Sequence, residues 1–146
     1  MERVSVVILN WNGRHHLERF LPSVVEHTMS EAAIVVADNG STDDSLAWLK
    51  ENHPAVQTIT LDSNYGFAEG YNRALKYINT EYVVLLNSDV EVTQGWLEPL
   101  VEILDNQHNV AVVAPKLRSV AEPARFEYAG AAGGFIDYLG YPCCRG

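Results

Sequence analysis

Three short apolar runs in this chain each stop at a cluster of small polar residues, and this repeated junction restricts the fold more than any other feature. The runs cover residues 4–9, 34–37 and 82–86 and are rich in β-branched side chains. Such runs predict strands that end in turns. If the strands are parallel members of one sheet, the turns emerge at one edge, where open α/β sheets bind ligands. The turns contain Asn10, Trp11, Asn12 and Gly13 after the first run, Asp38, Asn39, Gly40 and Ser41 after the second, and Asn87, Ser88 and Asp89 after the third.

Segments with helical spacing of apolar residues separate these runs. Pro22 predicts a kink or a late start in the first helix. Ser41 and Asp44 form an S-x-x-D pattern close to a capping box, which predicts the start of the second. The first helical segment covers residues 17–25, and two further helical segments cover residues 67–78 and 96–104. Residues 56–61 and 110–114 are two further candidate strands. The alternation βαβαβαβαβ predicts an α/β fold with a mostly parallel sheet flanked by helices on both faces.

Composition narrows the class of protein. The 146 residues are 47% hydrophobic and 20% charged, which is typical of one compact globular domain. A net charge of -9 disfavours binding to nucleic acid. No basic leader and no apolar run of about 20 residues is present, so we expect a cytoplasmic protein. Cys143 and Cys144 are adjacent and fit neither a disulfide framework nor a zinc pattern, so we expect reduced thiols.

The regular pattern fails after Lys116. Glycine and aromatic residues follow without a sustained period, so residues 116–146 are predicted to be irregular. We expect the chain to be the front part of a longer protein.

Two polar turns carry residues that suit chemistry. Asp89, at the mouth of a strand, can hold Mg²⁺ or Mn²⁺, whose open positions then take phosphate oxygens. The competing interpretation is that Asn87, Ser88 and Asp89 only form a turn, and for this motif alone it is favoured. Asp38 is more suggestive, because it lies outside the capping box that explains Ser41.

Other candidates are weaker when taken singly. The Trp11 ring suits contact with a planar base, although a loop tryptophan more often packs against protein. Gly66 and Gly70 permit close approach of backbone to a ligand, but neither a dinucleotide fingerprint nor a P-loop is present. The five histidines are dispersed or lack metal spacing, and none is assigned a role.

Together, four motifs resemble the family 2 glycosyltransferases of the GT-A fold, the Rossmann-like fold of nucleotide-diphospho-sugar transferases. The resemblance covers about residues 4–118, and its motifs occur in order at strand ends. Residues 130–137 are similar to the bacterial rhamnosyltransferase-like branch. The four motifs are residues 4–13, 34–43, 64–68 and 85–89.

The resemblance implies a UDP- or dTDP-sugar as donor, with Asp38 on the base and Asp89 as the last acid of a D-x-D metal motif. Asn87 occupies the first position of that motif, so one carboxylate is missing. Tyr71 stands where many relatives carry arginine. The residues implied to contact the nucleotide are Leu9, Asn10, Trp11, Asn12, Asp38, Asn64, Gly66, Asn72 and Ser88.

The resemblance also implies a reaction. A hexosyl or rhamnosyl group would pass with inversion to a saccharide or lipid-linked acceptor, in polysaccharide biosynthesis for the cell envelope. The base that deprotonates the acceptor is not found here and is expected beyond Gly146, toward the acceptor side, so the chain alone is expected to be inactive. Peripheral association with the inner face of the cell membrane stays open for the full protein.

Three alternatives remain at this point. A non-catalytic nucleotide-binding or regulatory domain would share the fold. A phosphoacceptor receiver domain is also parallel α/β, but it needs an acidic pair where this chain has Asn10 and Asn12. A dinucleotide-dependent oxidoreductase is disfavoured, because the first turn lacks the glycine pattern.

Overall fold

A computed structural model of the chain describes residues 2–128 and 130–145. These residues fall into two compact units, divided between Gly95 and Trp96. The first unit holds the three predicted junctions, so its architecture decides whether their polar residues meet. None of the helices formed by the described residues is long and apolar enough to cross a membrane.

The first unit alternates strands and helices as predicted. Its elements in chain order are β1 (Val4–Asn10), α1 (Arg14–His27), β2 (Ala32–Asp38), α2 (Ser45–Asn52), β3 (Gln57–Thr60), α3 (Gly66–Ala74), a 3₁₀ turn (Leu75–Tyr77) and β4 (Tyr82–Leu86). Helix α1 begins directly after Gly13 and contains Pro22, so the late start considered for this helix does not occur.

The four strands form one parallel sheet in the order β3-β2-β1-β4. Asn10 lies beside Asp38, and Ile8 lies beside Leu86. The carboxyl ends of β1, β2 and β4 therefore reach one edge, which confirms the predicted parallel arrangement. A receiver domain has the strand order 2-1-3-4-5, so that alternative is wrong for this chain.

The helices cover both faces of this sheet. The chain steps in one direction from β1 to β2 to β3 and then crosses back to β4. Because such crossovers are right-handed, α1 and α2 lie on one face and α3 on the other. On the α3 face, Tyr71 and Ala74 pack against Val7, Val35 and Ala37. Successive strand residues point to opposite faces, so the residues between these face α1 and α2.

The second unit is less regular. Its elements are helix α4 (Glu98–Asn106) and an antiparallel hairpin of β5 (Gly134–Ile136) and β6 (Pro142–Cys144). The hairpin corrects the prediction that the chain after Lys116 has no regular structure. The strand predicted at residues 110–114 is wrong, since no ladder of the described residues includes it and Val112 is 84% exposed. An apolar run becomes a strand only where a neighbour pairs with its backbone.

Substitution of Gly40 tests how tightly the second polar turn is packed. It has φ +73°, and a Cβ atom there would lie 2.6 Å from the carbonyl carbon of Ser63. We expect Gly40→Ala to lower the free energy of unfolding by about 2–5 kcal/mol, from backbone strain and the clash together. Gly95 has φ +72° and no atom within 4 Å of that position, so Gly95→Ala should cost about 1–2 kcal/mol. Urea denaturation compares the two, and equal losses would show that Ser63 does not restrict Gly40.

Candidate functional site

A cleft of about 380 Å³ opens at the carboxyl edge of the sheet. This volume falls within the range of small-molecule sites, roughly 300–1,000 Å³. The cleft includes the ends of β1 and β4, the neighbouring strands at which the direction of the crossovers reverses, and ligands of open α/β sheets bind at such a point. Its lining residues are Leu9, Trp11, His16, Asn39, Asn64, Gly66, Phe67, Asn87, Ser88 and Asp89.

The cleft brings together part of the predicted site. Six residues expected to bind nucleotide or metal line it, namely Leu9, Trp11, Asn64, Gly66, Ser88 and Asp89. Asn72 is exposed on α3 outside this lining. His16 lines it from the first turn of α1, although no histidine was assigned a role from the sequence. Asn10, Asn12 and Asp38 do not line it.

Side-chain alternation explains why Asn10 and Asp38 lie elsewhere. Leu9 and Ala37 pack on the α3 face, so the next residue along each strand points to the opposite face. There Asp38 is buried, and its Oδ1 accepts a hydrogen bond of 3.1 Å from Asn10 Nδ2. Its Oδ2 accepts one of 3.0 Å from the backbone N–H of Ser41. Asp38 therefore has a structural task, although it lies outside the capping box considered for Ser41.

The loops after β1 and β2 are tied together by side chains. Asn12 has φ +50°, and its Oδ1 accepts a 2.7 Å hydrogen bond from the backbone of Thr42. Ser41 Oγ accepts from the backbone of Asn12 at 2.9 Å. The predicted capping box is wrong, because α2 begins only at Ser45 and Asp44, not Ser41, precedes its first residue. Instead Asp43 Oδ1 accepts from the backbone of Ser45, the first residue of α2.

Electrostatics supports this bracing. Burial raises the pKa of Asp43. Hydrogen bonds from Ser45 and from the backbone of Arg14 together lower it by more than burial raises it, so the pKa lies below its usual value. Because the folded-state pKa is depressed, the stabilising contribution of the carboxylate is present above its unfolded pKa and is lost as the pH falls through the folded one.

Asn39 holds one wall of the cleft and was missed as a site residue. Its Nδ2 donates to Asn64 Oδ1 at 3.0 Å and to the carbonyl of Gly66 at 2.9 Å, and its Oδ1 accepts from the backbone of Tyr65 at 3.0 Å. A Cβ atom at Gly70 would lie 3.0 Å from Asn39 Nδ2, so glycine lets α3 approach this amide. The signal for Asn39 is alternation, since residues 33, 35 and 37 face α3 and residue 39 continues that series.

Tyr71, at the position where the resemblance implies an arginine in many relatives, lies behind the cleft. It is buried, and its hydroxyl donates a 3.0 Å hydrogen bond to the carbonyl of Leu86. Burial raises the pKa of Tyr71, while a hydrogen bond from the backbone of Leu9 opposes the rise. The hydroxyl therefore stays protonated and neutral in the physiological range.

The oxygen atoms at the end of β4 fit a divalent cation that a substrate helps to hold. Asp89 and Asn87 are exposed and line the cleft together with Ser88. Among residues 2–128 and 130–145, no group of three His, Cys, Asp or Glu side chains could hold a metal. Mg²⁺ is commonly bound by one or two carboxylates, with waters and substrate phosphates completing the shell. The turn thus fits a cation shared with a ligand rather than a cage made by the protein.

Comparison with known proteins identifies the family. The glycosyl transferase family 2 profile matches residues 5–133. The chain is 26% identical over 126 residues to the N-acetylglucosaminyl-diphospho-decaprenol L-rhamnosyltransferase of Mycobacterium tuberculosis, covering 79% of this chain and 41% of that protein. The chain belongs to glycosyl transferase family 2.

Solved structures agree on the fold. S. aureus TarS in complex with UDP superposes with a TM-score of 0.65 at 19% identity, over 95% of this chain and 43% of that one. The mannosyltransferase PcManGT of Pyrobaculum calidifontis, in complex with GDP-Man and Mn²⁺, gives 0.61 at 23% identity, over 80% and 34%. The predicted GT-A fold is confirmed, and the chain spans less than half of the length of these proteins.

The buried network behind the cleft makes a stability prediction. Asp38→Ala removes the acceptor for Asn10 and Ser41, so we expect the free energy of unfolding to fall by about 1–3 kcal/mol. Asp44 is the matched control, because its carboxylate makes an exposed ion pair of 2.8 Å with Arg14, and Asp44→Ala should cost less than about 1 kcal/mol. Thermal and urea unfolding measure both. An Asp38→Ala variant as stable as the parent chain would contradict a structural task for this carboxylate.

Proposed function

We propose that residues 1–146 form the nucleotide-sugar-binding part of an inverting glycosyltransferase that uses a UDP- or dTDP-sugar with Mg²⁺ or Mn²⁺. The observation that carries this proposal is the cleft between β1 and β4, where exposed aromatic rings, amides and one carboxylate from separate loops face the same space. Membership of glycosyl transferase family 2 supports the proposal, because the loops that line the cleft belong to the motifs that carry the resemblance to this family.

The aromatic residues suit the nucleoside. Trp11 is 55% exposed and Phe67 is 65% exposed, and both line the cleft. Large exposed rings at a cleft offer flat surfaces on which a base can stack. The amide of Asn64 and the backbone at Gly66 supply polar contacts, and Asn39 holds that segment in place. In this proposal Asn10, Asn12 and Asp38 act from behind the cleft by fixing the loops.

The diphosphate explains the need for a cation. Within residues 2–128 and 130–145, no lysine or arginine lines the cleft, and Asp89 is the only carboxylate that does. Two like charges about 4 Å apart near a protein surface repel by about 4 kcal/mol, so Asp89 would oppose a diphosphate without a cation between them. A bound divalent cation would neutralise the negative charge of the departing diphosphate. Asp89, with Asn87 and Ser88 beside it, would hold and orient that ion.

We extend the proposal to the acceptor and the setting, which would be properties of the whole protein. We infer transfer of a hexosyl or rhamnosyl group to a saccharide or lipid-linked acceptor in cell-envelope polysaccharide synthesis, at the cytoplasmic face of the membrane. The name of the mycobacterial relative, a rhamnosyltransferase acting on a decaprenol-linked sugar, supports this inference. Of the residues that the structure describes, only Asp89 gives the cleft a carboxylate, and the chain spans less than half of the length of its relatives. We therefore propose that the catalytic base lies beyond residue 146 and that this chain binds donor without transferring sugar.

Calorimetry tests the proposal directly. We expect UDP or dTDP to bind in the presence of Mn²⁺, and Asp89→Ala to weaken binding by at least about tenfold, because a charge-assisted contact is lost. Glu91→Ala is the charge-matched control, since Glu91 is exposed two residues away and lies outside the cleft lining. It should bind as the parent chain does.

Three results would count against the proposal. Equal affinity for UDP with Mn²⁺ and with a chelator would contradict a role for the cation in binding. Binding that survives Asp89→Ala unchanged would remove Asp89 from the site. Tight donor binding by the full-length protein with no sugar transfer to any acceptor would favour the alternative, a non-catalytic nucleotide-binding domain.

A further inference from the structure

The ladder between β1 and β4 ends before β1 does. Its last pair is Ile8 with Leu86, whereas β1 stays paired with β2 as far as Asn10 and Asp38. Beyond Ile8 the two strands part, and the cleft opens there. Beyond that pair, β4 offers no ladder partner to the backbone of Leu9, and buried backbone groups need a partner.

The hydroxyl of Tyr71 supplies that partner. It donates to the carbonyl oxygen of Leu86 at 3.0 Å, and the backbone of Leu9 hydrogen-bonds to it. The side chain is only 3% exposed, and the ring of Phe67, which lines the cleft, packs edge-on against it at 5.1 Å. One buried oxygen atom therefore links α3 to the ends of two strands at the point where they diverge.

We propose that Tyr71 is a positioning residue for the cation-binding turn. Leu86 directly precedes Asn87, Ser88 and Asp89, so the hydrogen bond to its carbonyl sets the direction in which the turn leaves the strand. The oxygen atoms of the turn then face the cleft. This inference rests on the proposed function, which assigns the cation and the diphosphate to that turn.

A purely structural role makes a different prediction. A hydroxyl that only satisfies buried backbone groups affects stability and leaves the dependence of nucleotide binding on Mn²⁺ intact. A positioning hydroxyl affects that dependence itself, because the displaced turn no longer holds the ion that bridges Asp89 and the diphosphate.

Tyr71→Phe separates these roles, since it removes the hydroxyl and keeps the buried ring. We expect UDP affinity to fall by about fivefold to tenfold with Mn²⁺ and to stay unchanged with a chelator. In the Asp89→Ala background the same substitution should cause no further loss. Tyr65→Phe is the matched control, because it removes an exposed hydroxyl that donates to Asp62 at 2.7 Å, and it should keep the Mn²⁺ dependence.

The outcomes distinguish this inference from the proposed function. If the parent chain binds UDP with Mn²⁺ and Tyr71→Phe retains the full Mn²⁺ dependence, the inference is overturned and the proposed function stands. If the parent chain binds no UDP, the proposed function fails. Amide hydrogen exchange without ligand then tests whether Tyr71 holds the turn in place. Faster exchange at residues 82–90 in Tyr71→Phe, with residues 57–60 unchanged, supports positioning by Tyr71, and unchanged exchange at both overturns it.

Discussion

Opposite orientation of successive strand residues is the constraint on which the site depends. At the end of β1, Leu9 faces α3 and lines the cleft, while Asn10 faces the other way and is buried. At the end of β2, Asp38 is buried beside Asn10, and Asn39 reaches the cleft. Each strand end thus contributes one residue to the ligand side and one to the support behind it.

Side-chain amides join the loops by hydrogen bonds, as backbone hydrogen bonds join the strands of the sheet. Asn10 and Asn12 join the loop after β1 to the loop after β2, and Asn39 joins the latter to the segment that begins α3. Loops held by several directional bonds are ordered before a ligand arrives, so binding costs less conformational entropy. The asparagine-rich character of the turns is therefore explained by scaffolding as much as by ligand contact.

The fold of the first unit could be predicted from sequence because its strands are short β-branched runs and its helices have clear apolar spacing. The cleft could be predicted only in part. Motif position placed Leu9, Trp11 and Asp89 at one edge, but position alone does not say which of two neighbours, such as Asp38 and Asn39, faces the ligand. The run at residues 110–114 misled for a related reason, since pairing depends on a partner strand that local pattern does not reveal.

The missing side chain at Gly70 has a consequence for how this fold can diversify. Any larger residue there would press on the Asn39 amide and on Leu9, at 3.0 and 3.1 Å from a Cβ atom. The inner wall of the cleft is therefore closely packed, and a larger residue at position 70 would require Asn39 or Leu9 to shift. Trp11 and Phe67 are more than half exposed, so substitution there disturbs less packing than at position 70. Variation in the ligand that the cleft accepts would therefore be easier at this outer rim than at the inner wall.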